Sequence, residues 1–275
     1  MNTNKQNTAP QIGWLCSYVP QEILLVAGFN PTRLSIEKEA IIMADAYIYL
    51  NLCPYIKSVL DLGLLKKADH LDGMVFIGSC DAMRRLYDVW KSYVGTRFVY
   101  MIYMPKNRDE GATRYFGTQL RKFTCSLEDE FSVKISNESL NEAIRATNQN
   151  RKFMQKIYDL QKKCPLPIKG SKLFELVMDG MTTGKDAFYV KLKQYYDTAK
   201  ILTSEQREKA GTRILVTGNV IDQVDLFKLI EGAGAEVPAI DTCTGIRHFE
   251  TLADEDTKDP IDALGGILIS VSVPE

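Results

Sequence analysis

The chain has 275 residues, of which 45% are hydrophobic and 25% charged, and its formal net charge is −1. This balance allows one large or two modest folded domains, and it excludes the basic excess that holds a nucleic-acid backbone or an anionic membrane surface. No apolar run approaches the roughly 20 residues that cross a bilayer, and the polar residues 1–11 predict a disordered tail without the apolar core of a signal peptide. We therefore expect a cytoplasmic protein whose six cysteines stay reduced.

Residues 12–135 are predicted to form an α/β domain, because strand and helix patterns alternate along them. The predicted strands are residues 12–16, 46–53, 73–80 and 97–105. The predicted helices are residues 20–28, 54–65, 81–93 and 112–131. This alternation is typical of a doubly wound parallel sheet.

Residues 136–211 are predicted to be a helical bridge, with helices over residues 136–163, 172–181 and 184–210. The α/β alternation returns in residues 212–275, with strands at 213–218 and 236–243, a helix at 223–234 and a helix start at 244–253. The apolar run 263–273 is predicted to be one more strand. Two or three strands do not complete a sheet that is buried on both faces, so the second domain is predicted to be incomplete.

The glycines of "EGAGAEV", residues 231–237, do not predict a dinucleotide-binding loop. Gly232 and Gly234 follow a helix pattern where such a loop follows a strand, and Val237 occupies the position of the third glycine. These glycines are better explained as the C-terminal cap of the helix.

Four cysteines share one kind of position, at the end of an apolar strand pattern with a helix pattern close behind. They are Cys16 in "GWLCSYVPQE", Cys53 in "LNLCPYIKSV", Cys80 in "IGSCDAMRRL" and Cys243 in "IDTCTGIRHF". In open α/β sheets, ligands bind beyond the carboxyl ends of the strands. The positive end of a helix dipole there favours a negatively charged thiolate, the form that binds iron or zinc.

The spacing of these cysteines does not match the paired Cys-x2-Cys pattern of structural zinc sites. Ligands carried one to a strand end instead suit a metal cluster in a cleft, and four coincidentally buried cysteines remain the alternative. Cys125 and Cys164 lie outside the scheme and are expected to be buried filler. A catalytic Cys/His pair is weakly supported, because nothing local ties His70 or His248 to a cysteine.

The four cysteine segments, together with "RILVTGNVIDQVDLFKLIEGAGAEVPAIDTCTGIRHFE", resemble the 2-hydroxyacyl-CoA dehydratase family, which includes benzoyl-CoA reductase subunits and double-cubane cluster proteins. The resemblance runs from about residue 12 to about residue 262. It implies two Rossmann-like domains with an iron–sulfur cluster, [4Fe-4S] or double-cubane, between them.

By this resemblance Cys53 and Cys80 are ligands of the cluster, and Cys16 lies near its open site, where members carry either cysteine or a hydroxyl residue. Cys243 matches a recurrent cysteine of the second domain. The resemblance further implies a related partner subunit, an acyl-CoA substrate, and an ATP-hydrolysing iron–sulfur activator whose single electron enables removal of an unactivated hydroxyl group through a ketyl radical on the thioester.

The sequence departs from the family after "DPIDAL", where members normally continue and supply a later cysteine ligand. We expect either a truncated or split member, or one whose ligand set is completed by another chain. Three hypotheses follow: a subunit of an (R)-2-hydroxyacyl-CoA dehydratase, a reductase relative acting on an aromatic acyl-CoA or another small molecule, and a non-catalytic cluster or assembly component.

Overall fold

The computed structural model describes residues 9–36, 41–49, 51–164, 166–201 and 211–270. The chain forms two compact units that divide between Ala143 and Ile144. The predicted disordered tail lies largely outside the described residues. The strands are β1 Gln11–Trp14, β2 Asn30–Arg33, β3 Gly73–Ile77, β4 Phe98–Ile102, β5 Thr212–Thr217 and β6 Ala235–Asp241. The α-helices are α1 Gln21–Val26, α2 Pro54–Leu64, α3 Asp81–Tyr93, α4 Glu110–Phe131, α5 Asn137–Leu160, α6 Gly170–Thr182, α7 Lys185–Ile201, α8 Asp225–Gly232 and α9 Pro260–Ser270.

The first unit contains a four-stranded parallel sheet with the strand order β2-β1-β3-β4. All five residues of β3, "GMVFI", are buried, as expected for an inner strand of a parallel sheet that is covered on both faces. This sheet confirms the prediction of a parallel α/β domain in the first half of the chain.

Helix α3 covers the sheet with an apolar stripe at helical spacing. Met83, Leu86 and Trp90 are buried along it. The rings of Phe76 and Trp90 meet edge to face with centroids 6.0 Å apart. The indole nitrogen of Trp90 donates to the Thr96 hydroxyl at 2.9 Å, which supplies the partner that a buried indole requires.

The prediction of a buried strand over residues 46–53 is wrong. The described residues of this segment form turns that follow a short 3-10 helix, Ala44–Ala46, and Tyr49 is 72% exposed. The Asp61 carboxylate accepts hydrogen bonds from the backbone amides just before this segment, which removes them from any sheet ladder. A dense aromatic pattern alone does not distinguish such a segment from a strand.

Strand β2 was not predicted. Its sequence, "NPTR", contains Pro31, and proline is tolerated in a sheet mainly on an edge strand because it cannot donate to the ladder. The observed order places β2 at the edge of the sheet.

The second unit holds a separate two-stranded parallel sheet, β5-β6. Helices α6 and α8 pack against β6 and against each other. The Glu231 carboxylate of α8 accepts from the backbone amide and the hydroxyl of Ser171, at 2.9 and 2.6 Å, and so satisfies the first turn of α6. Gly234, with a φ of 85°, follows the end of α8 and confirms the predicted glycine cap.

The prediction of a strand over residues 263–273 is wrong, because residues 260–270 form helix α9 and the rest lies outside the described residues. Pro260 suits the first helical position, and the Asp259 carboxylate accepts from the backbone amide of Asp262. Leu264 and Ile267 are buried at helical spacing. The helix start predicted at 244–253 is reduced to one 3-10 turn, Ile246–His248.

Within the described ranges, no helix combines the length and the apolar character that a membrane crossing demands.

Candidate metal centre

Cys16 and Ser79 meet at the point where the strand order of the first sheet reverses. Strands β1 and β3 are parallel neighbours, with Trp14 opposite Val75, although β2 lies between them in the sequence. The crevice beyond the carboxyl ends of two such strands is where open α/β sheets bind ligands. Cys16 follows β1 there, and its sulfur lies 3.7 Å from the Ser79 hydroxyl, which follows β3.

Cys80 is the N-terminal cap residue of α3 and comes directly after Ser79. Its backbone is extended, its thiol is exposed, and its side chain makes no capping hydrogen bond to the helix. The carbonyl of Cys80 accepts the first helical hydrogen bond, from the backbone amide of Arg84. The Arg84 guanidinium donates to the Gly78 carbonyl at 3.3 Å, which fixes the loop between β3 and α3.

Cys53 caps α2 in the same way. Pro54 occupies the first turn of the helix, as predicted, and the exposed Cys53 side chain makes no capping hydrogen bond. Cys53 therefore stands at a helix start, although the strand expected before it is not there. Helices α2 and α3 pack against each other, and each has a cysteine as its N-terminal cap residue.

The other cysteines of the first unit and of the segment after α5 differ from expectation. Cys125 and Cys164 are both exposed, so the prediction that they are buried filler is wrong. All six cysteines lie in the described ranges, and none of them forms a disulfide. His70 is exposed in a turn after α2.

Cys243 lies in the second unit, two residues after β6, where the loops following β5 and β6 are tied together. Its backbone amide donates to the Asn219 carbonyl at 2.8 Å. The Thr244 hydroxyl donates to the Ile221 carbonyl at 2.6 Å. The structure therefore places Cys243 at the carboxyl edge of the second sheet, as the sequence predicted.

A buried arginine supports the Cys243 loop. The Arg247 guanidinium donates to both carboxylate oxygens of Asp241, at 2.7 and 2.8 Å, and to the Gly218 carbonyl at 3.0 Å. Hydrogen bonding from Arg247 holds the pKa of Asp241 below its usual range. Asp241 in turn raises the pKa of Arg247, and Cys243 acts in the same direction, so a positive charge stands close to this cysteine.

The donor set of the first unit consists of thiols at helix starts, which suits iron or zinc better than a hard cation. Within the described ranges, no three His, Cys, Asp or Glu side chains are grouped as a single metal ion requires. An iron–sulfur cluster makes a different demand, because its cysteine ligands bind separate iron atoms. The chemistry and exposure of Cys53 and Cys80 fit such a cluster.

Sequence reasoning missed Ser79, Asp61 and the partnership of Asp241 with Arg247. Ser79 carried a signal, since it precedes a candidate cysteine at the end of a buried strand. The contacts of Asp61 and Arg247 join residues whose proximity depends on the fold, and no spacing rule indicates them.

Residues 16–274 match the family described as 2-hydroxyglutaryl-CoA dehydratase, D-component. Among curated proteins, the chain is 28% identical to a benzoyl-CoA reductase subunit of Thauera aromatica, over 82% of this chain and 59% of that protein. It is 26% identical to the putative dehydratase subunit YjiM of Escherichia coli strain K12, over 97% of this chain and 71% of that protein. It is also 26% identical to the (R)-phenyllactyl-CoA dehydratase beta subunit of Clostridium sporogenes, over 96% of this chain and 70% of that protein.

The match with the reductase subunit of Thauera aromatica thus spans less than two thirds of that relative's length.

Proposed function

The chain belongs to the 2-hydroxyglutaryl-CoA dehydratase D-component family, and from this premise we propose that it is the iron–sulfur subunit of an electron-activated (R)-2-hydroxyacyl-CoA dehydratase that forms the enoyl-CoA. The observation that carries the proposal is the contact between Cys16 and Ser79 beside Cys80. This contact lies beyond the carboxyl ends of β1 and β3, and open parallel sheets generally bind ligands at such an edge.

Cys53 and Cys80 would bind iron through their thiolates at the starts of α2 and α3, where the helix dipoles favour negative charge. Cys16 would stand at the open face, with the Ser79 hydroxyl as its neighbour. Cys243 is proposed as an iron ligand as well, and the positive charge of Arg247 stands close to it. When bound, an iron–sulfur cluster, [4Fe-4S] or double-cubane, supplies the capacity to pass single electrons.

The net reaction removes the C2 hydroxyl group and one C3 proton of the thioester as water. A single electron supplied to the cluster starts this reaction and is returned after each turnover. The reaction therefore needs an electron donor but no stoichiometric reductant. We propose an ATP-hydrolysing iron–sulfur activator as that donor. A related subunit is proposed as partner, because the relatives from Clostridium sporogenes and Thauera aromatica are each one subunit of a larger enzyme.

Anaerobic reconstitution with ferrous iron and sulfide tests the proposal. The chain should gain broad visible absorption and about four irons, the number in one cubane cluster, or about twice that number for a double cubane. Cys80→Ser and Cys53→Ser should each lose most of this iron. Cys125→Ser is the matched control, because Cys125 is also exposed but lies within α4. Iron content that is unchanged in Cys80→Ser would exclude the assignment.

A reductase acting on an aromatic acyl-CoA is the second candidate. It is favoured by the similarity to the benzoyl-CoA reductase subunit and by a cysteine, Cys16, where a hydroxyl residue is the alternative. Product analysis distinguishes the two activities, given a one-electron donor and the partner subunit. A dehydratase forms an enoyl-CoA from the 2-hydroxyacyl-CoA, whereas a reductase adds hydrogen to an aromatic thioester. Iron binding without either product would instead support a non-catalytic cluster or assembly component.

A further inference from the structure

The carboxylate of Asp61 holds three consecutive backbone amides. It lies on α2 and is 6% exposed. Its two oxygens accept from the backbone amides of Ile42 at 2.5 Å, Met43 at 3.0 Å and Ala44 at 2.6 Å. A carboxylate suits this position because it has two acceptor oxygens and no donor hydrogen. Bonds from amides to an ionised acceptor are also the stronger kind.

A second side chain of α2 holds the next residue of the same segment. The Lys57 ammonium lies 2.8 Å from an Asp45 carboxylate oxygen, and the Lys57 side chain is only 8% exposed. A buried ammonium is stable only with such partners. Lys57 and Asp61 therefore both attach residues 42–45, here called the lead-in segment, to the side of α2.

Residues 46–52 connect the lead-in segment to Cys53. The Ala44 carbonyl accepts from the backbone amides of Tyr47 and Ile48, and the Tyr49 carbonyl accepts from that of Leu52. The chain then turns into α2 at Cys53. Through Lys57 and Asp61, helix α2 thus holds the segment from which the chain leads into its N-terminal cap residue, Cys53.

We propose that Asp61 is a positioning residue that sets the place of Cys53 for iron ligation. The ligation part of this inference rests on the proposed function, whereas the positional part concerns the metal-free chain alone. Asp61 lies eight residues beyond Cys53, or about 12 Å along the helix axis at 1.5 Å per residue. It therefore acts through the lead-in segment and does not itself contact iron.

Asp61→Asn tests the inference, because an amide keeps the size of the side chain but presents an NH2 group to backbone donors. Hydrogen–deuterium exchange in the metal-free chain should become about tenfold faster over residues 41–57, while residues 73–93 around Cys80 exchange as in the unchanged chain.

After reconstitution, iron retention against a chelator should fall about tenfold, the usual scale for residues that orient a ligand. The electron paramagnetic resonance spectrum of the reduced cluster should change as well. Asp69→Asn, an exposed carboxylate just after α2, is the matched control and should change none of these quantities.

Unchanged exchange over residues 41–57 would overturn the positional part. Faster exchange with unchanged iron retention and an unchanged spectrum would overturn the ligation part. If the unchanged chain bound no iron, the proposed function and the ligation part would fail together, while the exchange result would still decide whether Asp61 positions Cys53. Should Asp61→Asn fail to fold, Lys57→Met removes the ion pair with Asp45, keeps Asp61 in place, and should produce the same changes at smaller size.

Discussion

Arg247 forms a bidentate ion pair with Asp241, in which each carboxylate oxygen lies within 2.8 Å of a guanidinium nitrogen. The arginine side chain is 3% exposed, whereas that of Asp241 is 41% exposed. Arg247 also donates to the backbone carbonyls of Gly218 and Asp241, so one buried cation joins the ends of β5 and β6. A buried guanidinium depends on such partners, because it cannot lose its charge.

Asp241→Asn should therefore destabilise the protein by about 1–2 kcal/mol, near the low end for hydrogen bonds to charged groups because Asp241 is partly exposed. The pKa of Asp241 is lowered in the folded state. A lowered carboxyl pKa gives stability that is present above the unfolded value, about 3.9 for aspartate, and is lost as the pH falls through the folded value. The difference in urea midpoint between the two proteins should thus shrink when the pH is lowered from 7 to 3.

Asp186→Asn is the control for this comparison, because Asp186 lies in the first turn of α7 and has no such arginine partner among the described residues. A difference between the parent chain and Asp241→Asn that stayed constant down to pH 3 would show that the charge of Asp241 is not what stabilises the pair.

Substitution by alanine should change the stability of the protein differently at two glycines of the second unit. A Cβ at Gly170 would lie 2.5 Å from the Cβ of Val237 and 2.8 Å from its carbonyl oxygen, where α6 meets β6. Gly170→Ala should therefore cost about 1–3 kcal/mol through overpacking. A Cβ at Gly232 meets nothing within 4 Å, so Gly232→Ala should be neutral or stabilise α8 by up to about 1 kcal/mol. Thermal unfolding midpoints measure both effects, and equal midpoints would contradict the close approach of α6 to β6.

Much of the first unit could be predicted from the sequence, because its buried strands and amphipathic helices have clear periods. Helix α3 has the predicted bounds, since Met83, Leu86 and Trp90 recur at helical spacing after the Cys80 turn. Residues 46–53 and 263–273 were predicted as strands, since apolar and aromatic composition resembles a strand until the hydrogen-bonding partners are known. In the first case the backbone amides just before the segment donate to the distant carboxylate of Asp61.

The candidate site was predictable only in part. The positions of Cys16 and Cys80 followed from the rule that the carboxyl ends of parallel strands share one edge. The neighbour relation between β1 and β3 is a property of the whole sheet, and the Ser79 contact depends on it. The roles of Cys16, Cys53, Cys80 and Cys243 as ligands or catalytic groups stay predictions.

Loss of the hydroxyl group should cost less stability at Tyr158 than at Tyr55. The Tyr158 hydroxyl oxygen is buried without a hydrogen-bond partner in the described part of the chain, and burial, followed by the charge of Asp241, raises its pKa above the usual range. Tyr158→Phe should therefore leave stability unchanged or raise it, because a buried unsatisfied hydroxyl is costly. Tyr55→Phe is the comparison, since the Tyr55 hydroxyl donates to the Leu34 carbonyl at 2.9 Å. That variant should lose about 1 kcal/mol, and a larger loss for Tyr158→Phe would show that its hydroxyl is satisfied.

The contact between Cys16 and Ser79 can be tested without any metal, by Ser79→Cys. A sulfur at position 79 would start close to Cys16, since the oxygen that it replaces lies 3.7 Å from the Cys16 sulfur. A disulfide needs sulfurs about 2.05 Å apart, so a small side-chain rotation should suffice. Mild oxidation of the metal-free variant should join peptides containing residues 16 and 79, as shown by mass spectrometry under non-reducing conditions.

Ser92→Cys is the matched control for that experiment, because Ser92 is an exposed serine on α3, where its hydroxyl donates to the Asp88 carbonyl. It should not join to Cys16. The unchanged chain, oxidised in parallel, reports any direct bond between Cys16 and Cys80. If Ser79→Cys remained unlinked while its thiols stayed reactive toward iodoacetamide, the ends of β1 and β3 would not share one crevice. The proposed iron site would then lose the geometry on which it depends.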